Sequence, residues 1–353
     1  MSASFAARLL AWYDRHGRRD LPWQHPRTAY RVWIAEVMLQ QTQVVTVIPY
    51  YRRFLRRFPD VRTLAAADLD EVLRLWAGLG YYARARHLHR AAREIVTRHG
   101  GQFPRSFEAA CALPGLGRST AGAILAQAYG ARHAILDGNV RRLLARYRAI
   151  PGWPGETAVN RKLWALAEAL LPRRRLADYT QALMDLGATV CTARAPACVR
   201  CPLRRDCAAR RANRVADVPA PRPSRARPLR HARLLLVENA RGALLFERRP
   251  PVGLWGGLWS LPMIEDGQVQ AEEFLRTRYG LHARLGESLP ALRHAFTHFE
   301  LELQPVRLRT NGAEPQLRKR EALRWISISA RRRPGLPRPI AALLRQLRDS
   351  PNS

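Results

Sequence analysis

The chain contains almost no lysine. Lys162 and Lys319 are its two lysines, yet lysine and arginine together number 60 against 28 aspartates and glutamates, which gives a formal net charge of +32. Such a charge favours nucleic-acid binding, because neutralisation of phosphates drives non-specific affinity. The near-total replacement of lysine by arginine, together with abundant alanine, is equally typical of a coding bias. Charge alone therefore leaves both interpretations open.

Long apolar runs are also absent from the sequence. None reaches the length that spans a bilayer, and the N-terminus has no charged-then-apolar signal segment. We therefore expect a soluble cytoplasmic protein with no membrane association, in a reducing compartment that suits metal thiolates better than disulfides. A length of 353 residues fits about two domains and allows a sizeable core, so disulfide cross-links are not needed for stability.

Helical periodicity dominates the first part of the chain. Apolar residues recur at helical spacing, and short Gly/Pro breaks such as 113–115 and 151–154 separate the helical segments. A stretch rich in proline and arginine follows at 210–230, where apolar periodicity is lost, and we predict an extended linker there. The predicted helical segments are Ala29–Phe58, Asp68–Trp76, Ala83–Arg98, Thr120–Ala128, Val140–Tyr147 and Val159–Leu170.

Strand patterns begin after the linker. Alternating apolar residues predict four strands, with one helix among them. The sequence thus predicts a mainly α domain over 1–209, the linker over 210–230 and a smaller α+β domain over 231–348, without internal repeats. The strands are expected at Arg233–Val237, Ala243–Phe246, Glu300–Val306 and Leu323–Ile326, and the helix at Ala271–Tyr279.

Four of the five cysteines cluster at the end of the helical region, with the spacing C-x6-C-x2-C-x5-C. Clustered cysteines in a long chain indicate a metal or redox site rather than a disulfide framework. Structural zinc usually takes two close pairs of ligands, whereas the unequal gaps here suit thiolates around a larger group such as a [4Fe–4S] cluster. A zinc site and unused thiols are the alternatives. The cysteines are Cys191, Cys198, Cys201 and Cys207.

Glu36 is the first candidate catalytic residue. If its segment is helical, its neighbours three and four residues away include Val32, Trp33 and Leu39. This mostly apolar surface desolvates the carboxyl, which raises its pKa and favours the neutral acid, a proton donor near neutral pH. A structural glutamate, held by a buried partner or facing solvent, is the alternative.

Asp137 is the second candidate. It precedes the predicted helix at Val140, where an aspartate also serves as a helix N-cap. A helix N-terminus favours the ionised carboxylate, so we expect this carboxyl to be pushed toward the charged form and Glu36 toward the neutral one. Carboxyls in divergent environments are typical of a proton donor and an electrostatic stabiliser around a glycosidic bond.

The third candidate is the turn Leu113-Pro-Gly-Leu-Gly117. Gly115 and Gly117 permit a tight turn, and a helix beginning near Ser119 offers free N–H groups. Such a turn is a phosphate-binding nest at a helix start, and a plain interhelical turn is the alternative.

These features occur in the order Glu36, turn, Asp137 and cysteine cluster, which resembles the MutY family of adenine DNA glycosylases in the helix–hairpin–helix (endonuclease III) superfamily. The resemblance implies a mainly α helix–hairpin–helix glycosylase region with a [4Fe–4S] cluster loop, followed by a MutT-like (Nudix-like) C-terminal domain. It also implies a monomer that acts on double-stranded DNA containing adenine opposite 8-oxoguanine or guanine. The resemblance covers about residues 10–347 and is sharpest at 36–49, 75–86, 135–141 and 253–259.

The resemblance assigns roles to individual residues. Glu36 would protonate adenine N7, Asp137 would stabilise the oxocarbenium-like sugar, and Asn139 would help to organise the site. Ser119 stands where bifunctional relatives have a lysine; without that amine no Schiff base forms, so the product is expected to be an abasic site. The adenine pocket would comprise Arg19, Leu21, Trp23 and Ser119, and the residues inserted into the duplex would be Gln41 and Tyr81, the latter otherwise a core residue.

In the C-terminal domain, 8-oxoguanine would be recognised by Phe296, Thr297 and His298, where the family has Phe-Ser-His. For His298 a packed or surface role is the alternative. The domain's helix offers only Glu272 and Glu273 and lacks the acidic pattern that holds Mg²⁺ in a pyrophosphohydrolase. We therefore expect binding without hydrolysis.

Two other functions stay open. One is a bifunctional endonuclease III-like enzyme acting on oxidised pyrimidines, against which Ser119, Gln41 and the second domain argue. The other is a non-catalytic, cluster-bearing DNA-binding protein, against which Glu36 and Asp137 argue. In the adenine glycosylase interpretation the cluster is expected to hold a basic loop toward phosphates, through Arg194, Arg200, Arg204 and Arg205.

Overall fold

The computed structural model describes residues 4–223, 226–265, 270–296, 298–310, 322–330 and 333–349. The chain divides into two compact units. The first comprises Met1–Ala66 and His87–Ser224, and the second comprises Ala67–Arg86 and Arg225–Ser353. Thr297 lies outside the described residues. None of the helices in the described ranges combines the length and the apolar character needed to cross a bilayer.

Helices make up the regular structure described in the first unit, and a few helices belong to the second. In chain order they are α1 (Phe5–His16), α2 (Ala29–Leu39), α3 (Val44–Arg57), α4 (Val61–Ala66), α5 (Leu69–Trp76), α6 (Ala83–Arg98), α7 (Phe107–Ala112), α8 (Arg118–Tyr129), α9 (Gly138–Arg148), α10 (Thr157–Ala169), α11 (Leu176–Thr189), α12 (Ala208–Arg211), α13 (Ala271–Tyr279) and α14 (Arg338–Asp349), with a 3₁₀ turn at Cys198–Arg200.

The predicted helix over Ala29–Phe58 is two helices, so that prediction is wrong at its centre. α2 begins after Thr28, whose side chain accepts the Arg31 N–H, and α3 starts only at Val44. Between them Gln41 has a φ of 58°, a left-handed conformation that interrupts the helical path and is uncommon outside glycine. The other predicted helices agree with α5, α6, α8, α9, α10 and α13 to within two residues at each end.

α11 packs against α1, α8 and α9 in the first unit. Its side chains Leu183 and Leu186 are buried, and Gly187 permits its closest approach to a neighbour. A Cβ atom on Gly187 would lie 2.8 Å from Asn139 Cβ and 3.0 Å from the Asn139 carbonyl oxygen. The missing side chain therefore lets α11 lie directly against the first turn of α9.

The second unit is built on a mixed sheet. Its described strands are β1 (Leu229–Glu238), β2 (Ala243–Arg248), β3 (Trp259–Ser260), β4 (Met263–Glu265), β5 (Ala283–Ser288), β6 (Leu292–Ala295), β7 (Glu300–Thr310) and β8 (Leu323–Ser327).

The order along this sheet is β3-β2-β1-β7-β5, with β4 paired to β1, β6 to β7 and β8 to β2. β1 and β7 are parallel, in register from Leu229 opposite Glu300, and the other pairs are antiparallel. α13 packs Leu275 and Tyr279 onto the sheet residues Leu235 and Val306. The predicted strands lie within β1, β2, β7 and β8. Five described elements of this unit were not predicted from the sequence. β3, β4 and β6 are too short to show a period, and the side chains of β5 are mostly exposed. The fifth is the helix α14.

The segment 67–86, which contains α5, belongs to the second unit. Asp70 of α5 holds it there, because Oδ1 lies 2.8 Å from Arg248 Nη2 and Oδ2 accepts the Trp259 indole N–H at 3.3 Å. The backbone of Leu73 lies close to Gly335, because a Cβ atom on Gly335 would be 3.1 Å from the Leu73 carbonyl oxygen. The sequence pattern gives no sign of this grouping.

Between α12 and β1 the described residues form neither helix nor strand. The first half of this segment makes turns rather than the expected extended chain. This half belongs to the first unit, in which Val218 is buried and its carbonyl accepts from Arg146 Nε at 2.8 Å. The Ala220 N–H donates to the Gly152 carbonyl at 3.2 Å. The linker is therefore anchored along its N-terminal half.

Gly187→Ala should destabilise the first unit, because the new methyl group must displace the first turn of α9. Overpacking of this kind costs about 1–3 kcal/mol. Urea unfolding measures the loss, with Ala188→Ser on the exposed side of the same helix as the control. Equal stability of the two variants would contradict the close approach of α11 and α9.

Candidate active site and cysteine-lined cavity

Glu36 lies near the C-terminal end of α2, among buried apolar side chains. The packed helix α8 supplies Gln127, whose Nε2 donates to Glu36 Oε1 at 2.9 Å. Burial raises the pKa of Glu36 to about 7; the Gln127 hydrogen bond opposes this rise and the nearby charge of Asp137 adds to it. The expectation of a desolvated carboxyl that holds a proton near neutral pH is confirmed.

Asp137 is the N-cap of α9, as expected, and its Oδ1 accepts the Val140 N–H at 2.7 Å. The expectation that the surroundings of Asp137 favour its ionised form overall is wrong. Burial raises the pKa of Asp137, and this effect outweighs the opposing backbone hydrogen bonds from Val140 and Asn139 and the charges of nearby arginines. Desolvation dominates because the carboxyl is largely enclosed.

The two carboxyls nevertheless have different partners. Asp137 receives backbone N–H groups at the positive end of a helix, whereas Glu36 receives one neutral amide donor. Two adjacent negative charges are unfavourable in such a site. The two carboxyls are therefore held by donors of different kinds, backbone N–H groups for Asp137 and a side-chain amide for Glu36.

Ser119 holds the segment that precedes Asp137. Its Oγ accepts the Leu136 N–H at 2.9 Å, and Leu136 is buried. A buried N–H without a partner is costly, so this hydroxyl fixes the chain one residue before the carboxyl. Ser119 thus lies beside the candidate catalytic pair.

Asn139 is held by Arg142, one turn along α9. The Arg142 Nη2 donates to Asn139 Oδ1 at 2.9 Å and to the Gly187 carbonyl at 2.7 Å, while its Nε donates to the Cys191 carbonyl at 2.7 Å. One guanidinium therefore ties the start of α9 to the end of α11 and to the first cysteine of the cluster.

The four clustered cysteines line one cavity. Cys191 follows α11, Cys198 begins the 3₁₀ turn and Cys201 follows it, and Cys207 is the N-cap of α12. All are free thiols. Burial raises the pKa of Cys201 to about 12 and also raises that of Cys207. Four convergent thiols are the donor set of a [4Fe–4S] cluster.

Within the described ranges, no three or more Cys, His, Asp or Glu side chains form a group that fits a single metal ion. The wall of the cavity includes Arg146, a buried guanidinium that donates to the Thr192 carbonyl at 2.6 Å and approaches Cys191 Sγ at 3.5 Å. Around it the expected phosphate-facing arginines are all solvent-exposed: Arg194, Arg200, Arg204 and Arg205.

The expected adenine-pocket residues differ in exposure. Leu21 and Trp23 are buried, with Trp23 edge-on to Tyr51, whereas Arg19 is exposed and paired with Asp14 at 2.8 Å. The turn before them is anchored by the buried Asp185 of α11, which accepts the Arg18 N–H at 2.7 Å and Arg18 Nε at 2.8 Å.

Gln41 and Tyr81, expected to enter the duplex, are both exposed, and both adopt left-handed backbone conformations with φ of 58° and 49°. Such conformations in non-glycine residues concentrate at functional sites. In the second unit, Arg84 supports Tyr81: its guanidinium lies 5.4 Å from the centres of the Tyr81 and Trp76 rings and donates to the Gly80 carbonyl at 3.3 Å. Tyr81, 48% exposed, is therefore not a core residue.

The expected phosphate-binding turn lies between α7 and α8. Leu113 is buried and ends α7, Gly117 caps α8 without a side-chain hydrogen bond, and Gly115 has a φ of 80°. A Cβ on Gly115 would also lie 2.7 Å from His87 Cβ. The first N–H groups of α8 thus have no side-chain cap.

At the hairpin between β6 and β7, the Phe296 N–H donates to the Phe299 carbonyl at 2.8 Å, and their rings stack 4.6 Å apart. Phe296 also packs edge-on to His294, whereas His298 is exposed. Glu272 and Glu273 lie in the first turn of α13.

Comparison with known proteins identifies the family. Residues 34–169 match the HhH-GPD superfamily of base excision DNA repair proteins, and residues 233–346 match the NUDIX domain. The adenine DNA glycosylase of Buchnera aphidicola (subspecies Acyrthosiphon pisum) is 34% identical over 96% of both chains. The chain belongs to the adenine DNA glycosylase family. The family's Homo sapiens member is 37% identical over 92% of this chain and 70% of its own.

Solved structures extend the similarity of this adenine DNA glycosylase family member. A thermostable thymine-DNA glycosylase has 29% identity and a TM-score of 0.53, over 59% of this chain and 95% of its own. An endonuclease III in a non-covalent DNA complex has 20% identity and a TM-score of 0.51, over 59% of this chain and 94% of its own. The latter supports the fold of the helical unit alone.

Sequence reasoning missed three side chains that organise the site in this family member: Gln127, Arg142 and Asp185. Each is a polar residue within a helix. Gln127 interrupts the apolar run of α8, which is the one signal that was available. The partners of Arg142 and Asp185 come from distant segments, so no local pattern marks them.

Glu36→Gln should stabilise the protein at alkaline pH. An unfolded glutamate ionises near pH 4.5, whereas the folded Glu36 holds its proton until about pH 7, so the wild type loses stability as pH rises through this window. Glutamine removes that loss. The difference in free energy of unfolding between Glu36→Gln and the wild type, measured with urea, should therefore grow by about 2–3 kcal/mol from pH 5 to pH 8 in favour of the variant.

Glu273→Gln, on the exposed surface of α13, is the matched control and should show no such growth. If the free energy of unfolding of Glu36→Gln differs from that of the wild type by the same amount at both pH values, the raised pKa of Glu36 is contradicted.

Proposed function

We propose that this chain removes adenine mispaired with 8-oxoguanine or guanine in double-stranded DNA, as a monofunctional N-glycosylase of base excision repair. The observation that carries the proposal is the enclosed pair Glu36 and Asp137, whose charges interact and whose hydrogen-bond partners differ. A proton donor beside a carboxylate is the arrangement that cleavage of a glycosidic bond requires.

In the proposed reaction the adenine leaves the base stack, at a cost of a few kcal/mol. Glu36 donates its proton to adenine N7, so the glycosidic electron pair leaves with a neutral base. Asp137 stabilises the positive sugar, with its own orientation fixed by the Val140 N–H, and Asn139 helps to hold this end of α9. Water then adds to the positive sugar and gives up a proton to the Glu36 carboxylate, which leaves an abasic site and restores the acid.

The proposed adenine pocket comprises Arg19, Leu21, Trp23 and Ser119. Ser119 has a hydroxyl that already accepts the Leu136 N–H and cannot form an imine with the sugar. Strand cleavage by a Schiff base is therefore not expected.

Recognition of the opposite base is proposed for residues 231–348, joined by the linker 210–230 to the glycosylase region 1–209. The segment between β6 and β7 would contact 8-oxoguanine through Phe296, Thr297 and His298, of which His298 is exposed. Gln41 and Tyr81 would enter the duplex, where a flat ring is suited to wedge between base steps. No pyrophosphohydrolysis is proposed, since α13 offers only two carboxylates in its first turn.

DNA backbone contacts are proposed for the turn formed by Leu113, Gly115 and Gly117 and for the exposed arginines around the cysteine cavity. Cys191, Cys198, Cys201 and Cys207 would hold one [4Fe–4S] cluster. The cluster would supply the positive charge that keeps these thiolates ionised and would cross-link the loop that carries the arginines. The protein would act as a cytoplasmic monomer, associated with the nucleoid through DNA.

Single-turnover release of adenine tests the function. Duplexes with adenine opposite 8-oxoguanine or guanine should release the base, and the rate should fall as pH rises above about 7 because Glu36 loses its proton. Glu36→Gln should lower the rate at least about 10²-fold with unchanged affinity for the mismatch.

Glu273→Gln is the control and should behave as wild type. No adenine release from either duplex, or a fully active Glu36→Gln, would overturn the proposal. Strand nicking without alkali at the rate of base release would instead indicate a bifunctional enzyme.

Cys198→Ser should impair folding or DNA binding before it affects the chemical step. Iron content and thermal unfolding report the first effect, and titration of mismatched duplex reports the second. With saturating DNA, the remaining folded protein should release adenine at close to the wild-type rate. Cys111→Ser, outside the cavity, is the control. A Cys198→Ser variant with normal stability and DNA affinity would contradict the structural role.

A further inference from the structure

Gln127 is a buried amide on a helix of small and apolar residues. It is 3% exposed, and the neighbouring α8 side chains Ile124, Leu125 and Ala126 are also buried. Among the described residues its Oε1 has no hydrogen-bond partner, whereas its Nε2 donates to Glu36 Oε1 at 2.9 Å. A half-satisfied buried amide destabilises a fold relative to an apolar side chain. Packing alone therefore does not account for a glutamine at this position.

The hydrogen bond from Gln127 determines which oxygen of the neutral Glu36 carboxyl carries the proton. A neutral carboxyl has one hydroxyl oxygen that donates and one carbonyl oxygen that only accepts. Because the Gln127 N–H points at Glu36 Oε1, that oxygen is the acceptor, and the proton of the neutral acid sits on Oε2. The opposite amide orientation would have the Gln127 carbonyl accept the Glu36 proton and withhold it from a substrate.

We propose that Gln127 is a positioning residue for Glu36: its amide N–H keeps Oε1 as the acceptor oxygen and leaves the transferable proton on Oε2. This role rests on the proposed function of Glu36 as proton donor. When the proton passes from Oε2 to the ring nitrogen of the base, the O–H electron pair stays on Glu36. The hydrogen bond from Gln127 then faces a full carboxylate and strengthens, so it favours the transfer.

The surroundings of Glu36 identify which groups act on its titration. From α8 it meets Gln127, and from the N-cap of α9 it meets the charge of Asp137. The charged residue Arg31 of its own helix is engaged elsewhere, with the Pro22 carbonyl. α3 presents the hydroxyl of Tyr51, which donates to the Arg31 carbonyl. The arginines at the start of α9 act on Asp137: Arg141 and Arg142.

The pH dependence of single-turnover adenine release separates this role from a merely structural one. In Gln127→Leu the ionised form of Glu36 loses a donor, so the alkaline midpoint of the rate should move up by about one pH unit. The plateau rate below the midpoint should fall a few-fold, because the acid is weaker. Gln127→Met, which is close in volume and also lacks a donor, should reproduce both changes if Gln127→Leu folds poorly.

Leu125→Met is the control for perturbation of the α8 core and should leave the midpoint where it is in the wild type. An unchanged midpoint in both Gln127 variants would overturn the proposal. A midpoint that moves down would also overturn it, because that result means the amide carbonyl faces Glu36.

A second measurement does not require activity. The carboxyl band of Glu36 in pH-difference infrared spectra is identified by its loss in Glu36→Gln, and its titration should shift upward in Gln127→Leu. If the wild type releases no adenine, the proposed function fails, and this band still tests the hydrogen bond. If the wild type is active and the band does not shift, the role of Gln127 alone fails.

Discussion

The enclosure of Glu36 and Asp137 in one site is the constraint on which the arrangement of the helical unit depends. A buried carboxylate is costly, and two near each other are more costly still. The hydrogen bonds that offset this cost differ between the two carboxyls. Asp137 receives the backbone N–H groups at the start of α9, whereas Glu36 has a single amide partner and a pKa raised to about 7 by burial. The same desolvation that disfavours the charged form keeps a proton on Glu36 near neutral pH, as the proposed role of proton donor requires.

Helix packing supports this pair from several directions. α8 provides Gln127 to one carboxyl and Ser119 to the chain beside the other. α11 approaches the first turn of α9 through Gly187. Arg142 then links that turn to the residue that begins the cysteine-lined cavity. The position of the candidate catalytic pair and the integrity of the cysteine loop are therefore physically connected, although neither carboxyl lines the cavity.

The large positive charge has two components. Some arginines are internal cross-links: Arg146 is buried and donates to backbone carbonyls around the cavity, and Arg84 supports the ring of Tyr81. Others, such as Arg200 and Arg205, are exposed beside the cysteines. The internal group explains why total charge is a poor measure of phosphate binding, since a guanidinium can satisfy several carbonyls at once. The exposed group is the one available to DNA.

The sequence by itself determined the order of elements, the helical and α+β character of the two regions, the N-cap at Asp137 and the apolar surroundings of Glu36 on its own helix. These are local properties, set by periodicity, capping and the apolar neighbours of one helix. Tertiary structure decided the break at Gln41, the grouping of α5 with the C-terminal unit, the net direction of the Asp137 pKa and the hydrogen bond from Gln127 to Glu36. Each of these depends on segments far apart in the chain, because desolvation and side-chain partners arise only when distant elements pack together.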